Sequence, residues 1–412
     1  MSLTTRLSLM MFFQYAVWGA WAPIFPEYLL HTVGYSGFMV GVVLSLLPLA
    51  TIISPFLGGQ LADRYFPAER VVGVFHFTGG VLMLVLSRVT DWGLMTGLML
   101  LYSLFYAPTL ALTNSIVFMN VRNAGREFGP IRMWGTIGWI AAGLLLSAWR
   151  ILANELPGLS VEGDMLILAG VLSILMGFVS AAIPHTPPRP DISRPWAFLE
   201  AMRMLGERRV ASFVIISFFI STQLMFYYIL TAPFLTAPSI GIDSSVVAGV
   251  MVIGQVSEIV VMAALLSVFI HHFGLKNTMV IGMMSWSLLF LIFALGSPTW
   301  LVIGALGLHG FGYVFFFTAT FIYVDSIAPR DIRASAQGFI SIITLGLGNF
   351  IGSLFAGAVQ SSFTGGGKTD WTTVFLVPAF ITFLSAGVFA VMFHDKRAGR
   401  ADDEDTGHFV NV

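Results

Sequence analysis

The chain has 412 residues, of which 57% are hydrophobic and 10% charged, with a formal net charge of −1 and no cysteine. A soluble globular domain carries roughly 25% charged residues, so this chain has too few to cover a surface that faces water. A mean hydropathy of +0.87 therefore indicates a polytopic membrane protein. The lack of cysteine excludes disulfides, thiol catalysis and cysteine-ligated metals.

Twelve segments of the chain are apolar over about 20 residues, the length that a membrane-spanning helix needs. The first follows the N-terminus directly and lacks an A-x-A-like cleavage site, so it is predicted to be a membrane helix and not a removed signal peptide. The predicted spans lie near 7–30, 38–62, 70–89, 93–118, 130–152, 163–184, 210–237, 244–270, 275–295, 299–327, 332–360 and 371–393. The fold class is therefore an all-α membrane protein.

A polar connection divides these segments into two groups of six. Residues 185–209 are rich in proline and then basic, and the prolines prevent either flanking helix from continuing. The predicted organisation is an N-terminal six-helix half over 1–184, a linker over 185–209, and a C-terminal six-helix half over 210–394. The charged segment 395–412 has no apolar face and is predicted to be a disordered tail.

The distribution of lysine and arginine predicts the orientation, because these residues are enriched on the cytoplasmic side. With the N-terminus inside, sixteen of them fall in cytoplasmic segments, and Arg88, Arg150 and Lys368 fall outside. Both termini and the linker are therefore predicted to be cytoplasmic.

Polar and ionisable residues inside the spans are the candidates for function. Such a charge at the bilayer centre costs about 2.5–3.5 kcal/mol on insertion scales, so it normally faces a bundle interior or a watery cavity. Each set below lies in one stripe of its helix and combines a polar group with aromatic rings. The sets are Gln14, Trp18 and Trp21 in the first span, Arg132, Thr136 and Trp139 in the fifth, Gln223, Phe226 and Tyr227 in the seventh, Gln255 and Glu258 in the eighth, and His309, Tyr313 and Phe316 in the tenth. Ring faces and hydrogen-bonding groups together suit an aromatic, hydroxyl-rich small molecule.

Most of these residues also have a purely structural interpretation. The alternatives are interface aromatics for Trp18 and Trp21, interhelical hydrogen bonding for Gln14, Gln223 and Gln255, a cytoplasmic anchor for Arg132, packing for Tyr313 and Phe316, and a neutral, backbone-bonded histidine for His309. Glu258 lies some fifteen residues into its span, too deep for its short side chain to reach either interface. Its structural alternative is a protonated carboxyl bonded to another helix, and its functional interpretation is a proton site. By contrast, Asp325 lies at a cytoplasmic helix end beside Arg330 and Arg333 and is predicted to form a salt bridge or a helix-end contact.

The segment GGQLADRYFPAER at 58–70 resembles the loop signature G-x-L-A-D-R-x-G-R-K of the major facilitator superfamily. That resemblance implies two pseudo-symmetric six-helix halves around a central cavity, and it assigns Gly59, Asp63 and Arg64 to a conformational latch between the halves. The chain departs from the signature at Phe66, where the family has glycine.

Four further stretches resemble the bacterial nucleoside:H⁺ symporter family. They are FQYAVWGAW in the first span, IRMWGTIGW in the fifth, QVSE in the eighth and IRASAQG entering the eleventh. The resemblance implies proton-driven import of a purine or pyrimidine nucleoside through a cavity formed by Arg132, Thr136, Trp139, Gln223, Gln255 and Glu258.

Three departures from that family bear on coupling and substrate. Phe226 stands where the family has a polar amide, and His309 stands where it has a tyrosine. Tyr313 is followed by Val314, whereas the family has an aspartate there. Either Glu258 alone carries the proton, His309 takes over part of that role, or the protein is an uncoupled facilitator.

We therefore predict a monomeric nucleoside:H⁺ symporter of the inner membrane, without cofactor, metal or nucleic-acid partner. Glu258 and His309 are the predicted proton-coupling residues. The predicted substrate contacts are Gln14, Trp18, Arg132, Thr136, Trp139, Gln223, Phe226, Gln255, Glu258, His309, Tyr313 and Phe316. A transporter of another small polar solute, such as a sugar or a drug-like molecule, is the alternative of the same class. A membrane enzyme or a sensor is less supported, because the sequence has no H-E-x-x-H motif, no paired intramembrane aspartates and no soluble domain.

Overall fold

The computed structural model of the chain describes residues 1–54, 60–156, 159–188, 202, 206–328 and 333–393. These residues are almost entirely helical, which confirms the predicted fold class. The first half contains α1 (Leu3–Trp21, continued by Phe25–Glu27 and Tyr28–Thr32), α2 (Gly37–Ser54), α3 (Ala68–Leu86), α4 (Trp92–Asn120), α5 (Ala124–Glu155) and α6 (Asp164–Val179), with a short helix Gln60–Arg64 between α2 and α3.

The second half has the same number of spans. It contains α7 (Arg208–Thr236), α8 (Val247–Val260, continued by Val261–Leu265), α9 (within Leu266–Leu295), α10 (Thr299–Ala305, Leu308–Gly312, Tyr313–Thr318 and Ala319–Ile327), α11 (Arg333–Ser341, Ile342–Gly348 and Asn349–Ser362) and α12 (Trp371–Met392). A small antiparallel hairpin of β1 (Thr364–Gly365) and β2 (Lys368–Thr369) joins α11 to α12.

The helices α8 and α9 follow each other without a loop and meet at a kink. Eleven helices of the described chain are long and apolar enough to cross a membrane, and one of them, Val247–Leu295, has 49 residues. That is more than twice the length of a single span. Gly274 interrupts the run with φ 75° and ψ 165°, a conformation that favours glycine. The segments before and after Gly274 therefore provide two spans, which gives twelve over the described part of the chain.

The two halves contact each other mainly through α2 with α11 and α5 with α8, and the continuation of α1 also contacts α7. We call the face at which α1 begins the N-terminal face and the other the opposite face. Within the described residues, four hydrogen bonds join the halves. They link His31 Nδ1 to Thr236 Oγ1 (3.4 Å), the Phe38 N–H to Ser361 Oγ (3.0 Å), Arg150 Nη1 to the Ser244 carbonyl (3.1 Å) and the Gly249 N–H to Ser147 Oγ (2.8 Å). All four lie toward the opposite face, so the structure is closed there.

At the N-terminal face, the described polar contacts stay within one half. Arg333 Nη1 lies 3.6 Å from Asp325 Oδ2, which confirms the predicted salt bridge at the end of α10. Glu69 likewise accepts hydrogen bonds from His185 and Thr186, all in the first half. Most of the linker, residue 394 and the whole predicted tail, 395–412, lie outside the described residues.

Two π-helical turns interrupt spans close to the predicted site. In α8 the turn Val261–Leu265 starts three residues after Glu258, and in α10 the turn Tyr313–Thr318 starts at Tyr313 itself. A π turn places one extra residue in a helical turn and shifts the side chains beyond it around the axis, and such turns are frequent at functional sites.

Candidate functional site

The first half presents an aromatic surface built by α1 and α5. The Arg132 guanidinium carbon lies 3.8 Å from the centre of the Tyr15 ring, which is a cation–π contact. The rings of Trp18 and Trp139 meet edge to face with centroids 5.3 Å apart. Arg132, Thr136 and Trp139 are each half-buried although they lie within a span. The structure therefore brings together the predicted residues of α1 and α5, and it adds Tyr15, which is three residues before Trp18.

Gln14 lies behind this surface and not on it. Its side chain is fully buried, its Nε2 donates to Thr109 Oγ1 at 2.9 Å, and its Oε1 lies 2.8 Å from His76 Nε2. The Tyr106 hydroxyl also donates to the Gln14 carbonyl at 2.7 Å. The Gln14 amide nitrogen thus bonds to α4 and its oxygen to α3. These contacts correspond to interhelical hydrogen bonding, the structural interpretation of Gln14 given in the sequence analysis.

His76 is a buried residue that the sequence analysis missed. It lies on α3, 1% exposed, with Nδ1 3.0 Å from Ser173 Oγ of α6. The sequence did indicate this residue, because His76 is an ionisable residue within the apolar segment VVGVFHFTGG. Glu258 was selected for the same reason. Together with Gln14 it connects α1, α3, α4 and α6 by side-chain hydrogen bonds.

Glu258 faces the first half from α8. It interacts electrostatically with Arg132 across the interface and with Tyr227, Tyr228 and Tyr313 of its own half. Its side chain is half-buried, whereas Gln255, one turn earlier, is 8% exposed. The predicted carboxylate and guanidinium therefore share one site between the halves.

A close contact between α8 and α10 fixes the position of Glu258. The Ser257 hydroxyl donates to the Gly307 carbonyl at 2.5 Å. Gly310 lies directly on the Ser257–Glu258 peptide, where a built Cβ would overlap backbone atoms. Only glycine allows that approach, so α10 supports the α8 backbone at the carboxylate.

His309 is the centre of a buried aromatic cluster behind Glu258. Its ring stacks on Tyr227 with centroids 4.2 Å apart and an interplanar angle of 15°, and it meets Trp286 edge to face at 5.1 Å. Within the described chain, neither ring nitrogen of His309 has a hydrogen-bond partner, nor do the Tyr227 hydroxyl and the Trp286 Nε1. Buried polar atoms are normally paired with protein or ordered water, so four unpaired ones in one cluster form a polar spot in an otherwise apolar core.

Three other predicted contacts of the second half are buried within it. The Gln223 amide donates to Thr222 Oγ1 at 2.6 Å, and its Oε1 has no partner among the described residues. Phe226 is fully buried, and its ring contacts that of Phe355. Phe316 is fully buried as well, and its ring contacts that of Phe317. In this conformation Phe226 and Phe316 pack in the core, which for Phe316 is the alternative stated above.

A small cavity marks the closed end of the interface. It has a volume of about 10 Å³, which is room for about one water molecule, and it is bounded by Gly19 and Trp139 on one side and by Tyr228, Met251 and Gln255 on the other. The two halves are therefore nearly in contact around Gln255, at the closed end of the interface.

The predicted latch is only partly visible. Gly59 and the side chain of Asp63 lie outside the described residues, and Arg64 ends the short helix Gln60–Arg64 with its side chain exposed. Over the described chain, no group of three His, Cys, Asp or Glu residues is arranged to hold a metal ion. The site thus consists of aromatic faces, amides, the Arg132 guanidinium and the Glu258 carboxyl group. Such groups can bind an aromatic, hydroxylated solute and can hold a proton.

Comparison with known proteins identifies the family of the chain. The family profile described as nucleoside H⁺ symporter matches residues 1–398. YegT of Escherichia coli (strain K12) is 33% identical over 98% of both chains, and the nucleoside permease NupG of the same organism is 30% identical over 96% of this chain and 97% of NupG. A crystal structure of the nucleoside transporter NupG superposes with a TM-score of 0.85 at 29% identity, covering 96% of this chain and all of that one. These proteins are membrane transporters and not enzymes, and the chain belongs to the nucleoside H⁺ symporter family.

Proposed function

We propose that this chain imports nucleosides together with protons, and that the site between Arg132 and Glu258 binds both. The observation that carries the proposal is that Arg132 and Glu258, which lie within spans of different halves, influence each other electrostatically across the interface. Ionisable residues within spans are costly unless the protein uses them. Both residues belong to spans that form an interface pair, α5 and α8, so a relative movement of the halves changes their separation.

The nucleobase would stack on the aromatic surface of the first half. Trp18 and Trp139 supply ring faces there, Tyr313 supplies one from the second half, and the base is itself a planar aromatic ring. Thr136, Gln255 and Gln223 would hydrogen-bond the ribose hydroxyls and the base edges. We propose that Gln14 acts indirectly, by holding α1 so that Tyr15 and Trp18 keep their positions.

Glu258 would be the proton site. When it is ionised, it attracts Arg132 and favours an arrangement in which the halves are close at this level. Protonation removes that attraction, and a bound nucleoside can then take over the contacts that Arg132 and Glu258 make. Loading from the outer side and release on the inner side would couple the inward proton gradient to uptake.

Alternating access would use the contacts at the opposite face. The four interhalf hydrogen bonds lie at that face, and Glu258 and Arg132 are half-buried. These observations support an inward-open state, if the N-terminal face is cytoplasmic as the lysine and arginine distribution predicts. We further propose the inner membrane as the location, a monomer as the working unit, and residues 1–184 and 210–394 as the two moving halves.

An uncoupled nucleoside facilitator is the second candidate, and Val314 is the observation that favours it. The aspartate that the family carries after the α10 aromatic is absent here, which leaves Glu258 without a second acidic partner. The His309 cluster is the neighbouring group that could replace it.

Uptake into proteoliposomes tests the proposal. Radiolabelled uridine and adenosine are offered with and without an inward proton gradient. We expect saturable uptake that accumulates above equilibrium only with the gradient. Uptake that ignores the gradient would support the facilitator, and no saturable uptake of any nucleoside would exclude both.

A further inference from the structure

A groove runs along the outside of the first half between α3 and α6. It has a volume of about 650 Å³ and starts at the N-terminal face. Its floor consists of small residues, Gly73, Gly177 and Ser180, because the two helices approach closely there. Its wall is apolar and open, with Val74 61% and Phe77 48% exposed. Exposed apolar side chains on a spanning helix face lipid, so the groove is part of the surface that contacts the bilayer.

The end of the groove at the N-terminal face is polar. Arg70 is exposed there, and its side chain makes no hydrogen bond or ion pair with any other described residue. Glu69 is also present, but its carboxylate is already engaged by His185 Nδ1 at 2.9 Å and by the Thr186 N–H at 3.0 Å. Glu69 therefore makes its described contacts with His185 and Thr186 and not with Arg70.

The length of the groove matches one leaflet. Its α3 lining runs from Glu69 to Thr78, which is about 14 Å along a helix axis. Half of a hydrocarbon core of about 30 Å is about 15 Å. The polar end therefore lies at headgroup depth and the apolar remainder reaches the middle of the bilayer.

We propose that this groove binds one phospholipid with an anionic headgroup. The phosphate would contact Arg70, and one acyl chain would lie on the glycine floor against Val74 and Phe77. Basic pockets between spanning helices at the cytoplasmic side are known to hold such headgroups. The proposal is independent of which solute the protein transports.

The test compares lipid binding by the purified full chain in detergent, using native mass spectrometry with phosphatidylglycerol and phosphatidylcholine. We expect preferential binding of phosphatidylglycerol, reduced about fivefold by Arg70→Gln. Val74→Trp, which fills the open wall, should reduce the binding of both lipids. The controls are Arg88→Gln, an exposed arginine at the other end of the same helix, and Val81→Trp, an exposed valine of α3 beyond the groove. Neither should change lipid binding.

Three results would overturn the proposal. The first is equal binding of the two lipids by the unaltered protein. The second is unchanged phosphatidylglycerol binding in Arg70→Gln. The third is that Arg70→Gln lowers the Tm by the same amount in lipid-free detergent as with phosphatidylglycerol. Arg70 would then stabilise the protein through a contact with another part of the chain and not through the lipid. Glycerol phosphate, offered as the soluble headgroup, should bind much more weakly than the intact lipid.

Discussion

Arg132 lies over the ring of Tyr15, with its guanidinium carbon 3.8 Å from the ring centre. The contact holds the guanidinium of Arg132 at the first-half surface, and Arg132 also interacts electrostatically with Glu258 of α8. Tyr15 is thus a positioning residue for Arg132.

We expect Tyr15→Leu to weaken nucleoside uptake and Tyr15→Phe to leave it nearly unchanged, because the ring and not the hydroxyl carries the contact. A cation–π contact is worth about 0.5–2 kcal/mol, so the KM should rise by roughly two- to thirtyfold in Tyr15→Leu. Initial rates of uptake over a range of uridine concentrations measure it. Equal effects of the two substitutions would show that Tyr15 acts in another way.

The second prediction concerns the buried ion pair at the opposite face. Arg150 Nε and Nη2 donate to Asp164 at 2.8 and 2.7 Å, and Nη1 donates to Ser244 of the other half. Arg150→Gln leaves a buried carboxylate unpaired, which costs about 3–5 kcal/mol of folding free energy. We expect a Tm several degrees lower, and partial recovery in the double variant Arg150→Met with Asp164→Asn.

Arg88→Gln is the matched control, because Arg88 is an exposed arginine near the same face. Its Tm should stay close to that of the unaltered protein. If Arg150→Gln behaves like Arg88→Gln, the ion pair does not stabilise the protein.

The third prediction uses the close crossing of α2 and α11. A Cβ on Gly41 would lie 2.6 Å from the Ser353 carbonyl, so valine at this position does not fit the closed opposite face. We expect Gly41→Val to shift the population toward a state that is open at that face. The chain has no cysteine, so a single Met251→Cys at the small cavity can report accessibility without background.

A membrane-impermeant thiol reagent applied from the opposite face should label Met251→Cys severalfold faster in the Gly41→Val background. Gly304→Val is the control, because a Cβ at Gly304 meets no atom within 4 Å. Unchanged labelling in a folded Gly41→Val protein would contradict the assignment of this crossing to the closed face.

The fourth prediction separates support from substrate contact at Gln14. His76→Leu removes the donor to Gln14 Oε1 and leaves a buried acceptor unpaired, at a cost of about 1–3 kcal/mol. We expect Gln14→Leu and His76→Leu to lower the Tm to a similar extent. If Gln14 only supports α1, both variants lower the transport capacity with little change in KM. A large rise in KM in Gln14→Leu alone would make Gln14 a substrate contact.

The fold was predictable to a large degree because hydropathy and length are strong signals for membrane helices. Helix ends were less accurate, since α5 begins at Ala124 and not near 130, within a charged and proline-containing segment of low hydropathy. The boundary between α8 and α9 was predicted between 270 and 275, and Gly274 breaks the helix there with φ 75° and ψ 165°.

The placement of a residue between the halves was predictable where the residue is ionisable and lies within a span, as for Arg132 and Glu258. It was not predictable where the decision depends on partners from other helices. Gln14 and Gln255 are alike in sequence context, yet Gln14 bonds to Thr109 and His76 while Gln255 borders the cavity between the halves. Spacing along one helix cannot distinguish these two environments.

The most direct test of the central claim is transport by Glu258→Gln in proteoliposomes, measured as proton-driven accumulation and as exchange of internal for external nucleoside. The amide keeps the shape and hydrogen-bonding capacity of a protonated carboxyl but cannot release a proton. We predict that accumulation in response to an inward proton gradient is lost while exchange continues. Accumulation that survives in a folded Glu258→Gln protein would contradict the assignment of Glu258 as the proton site.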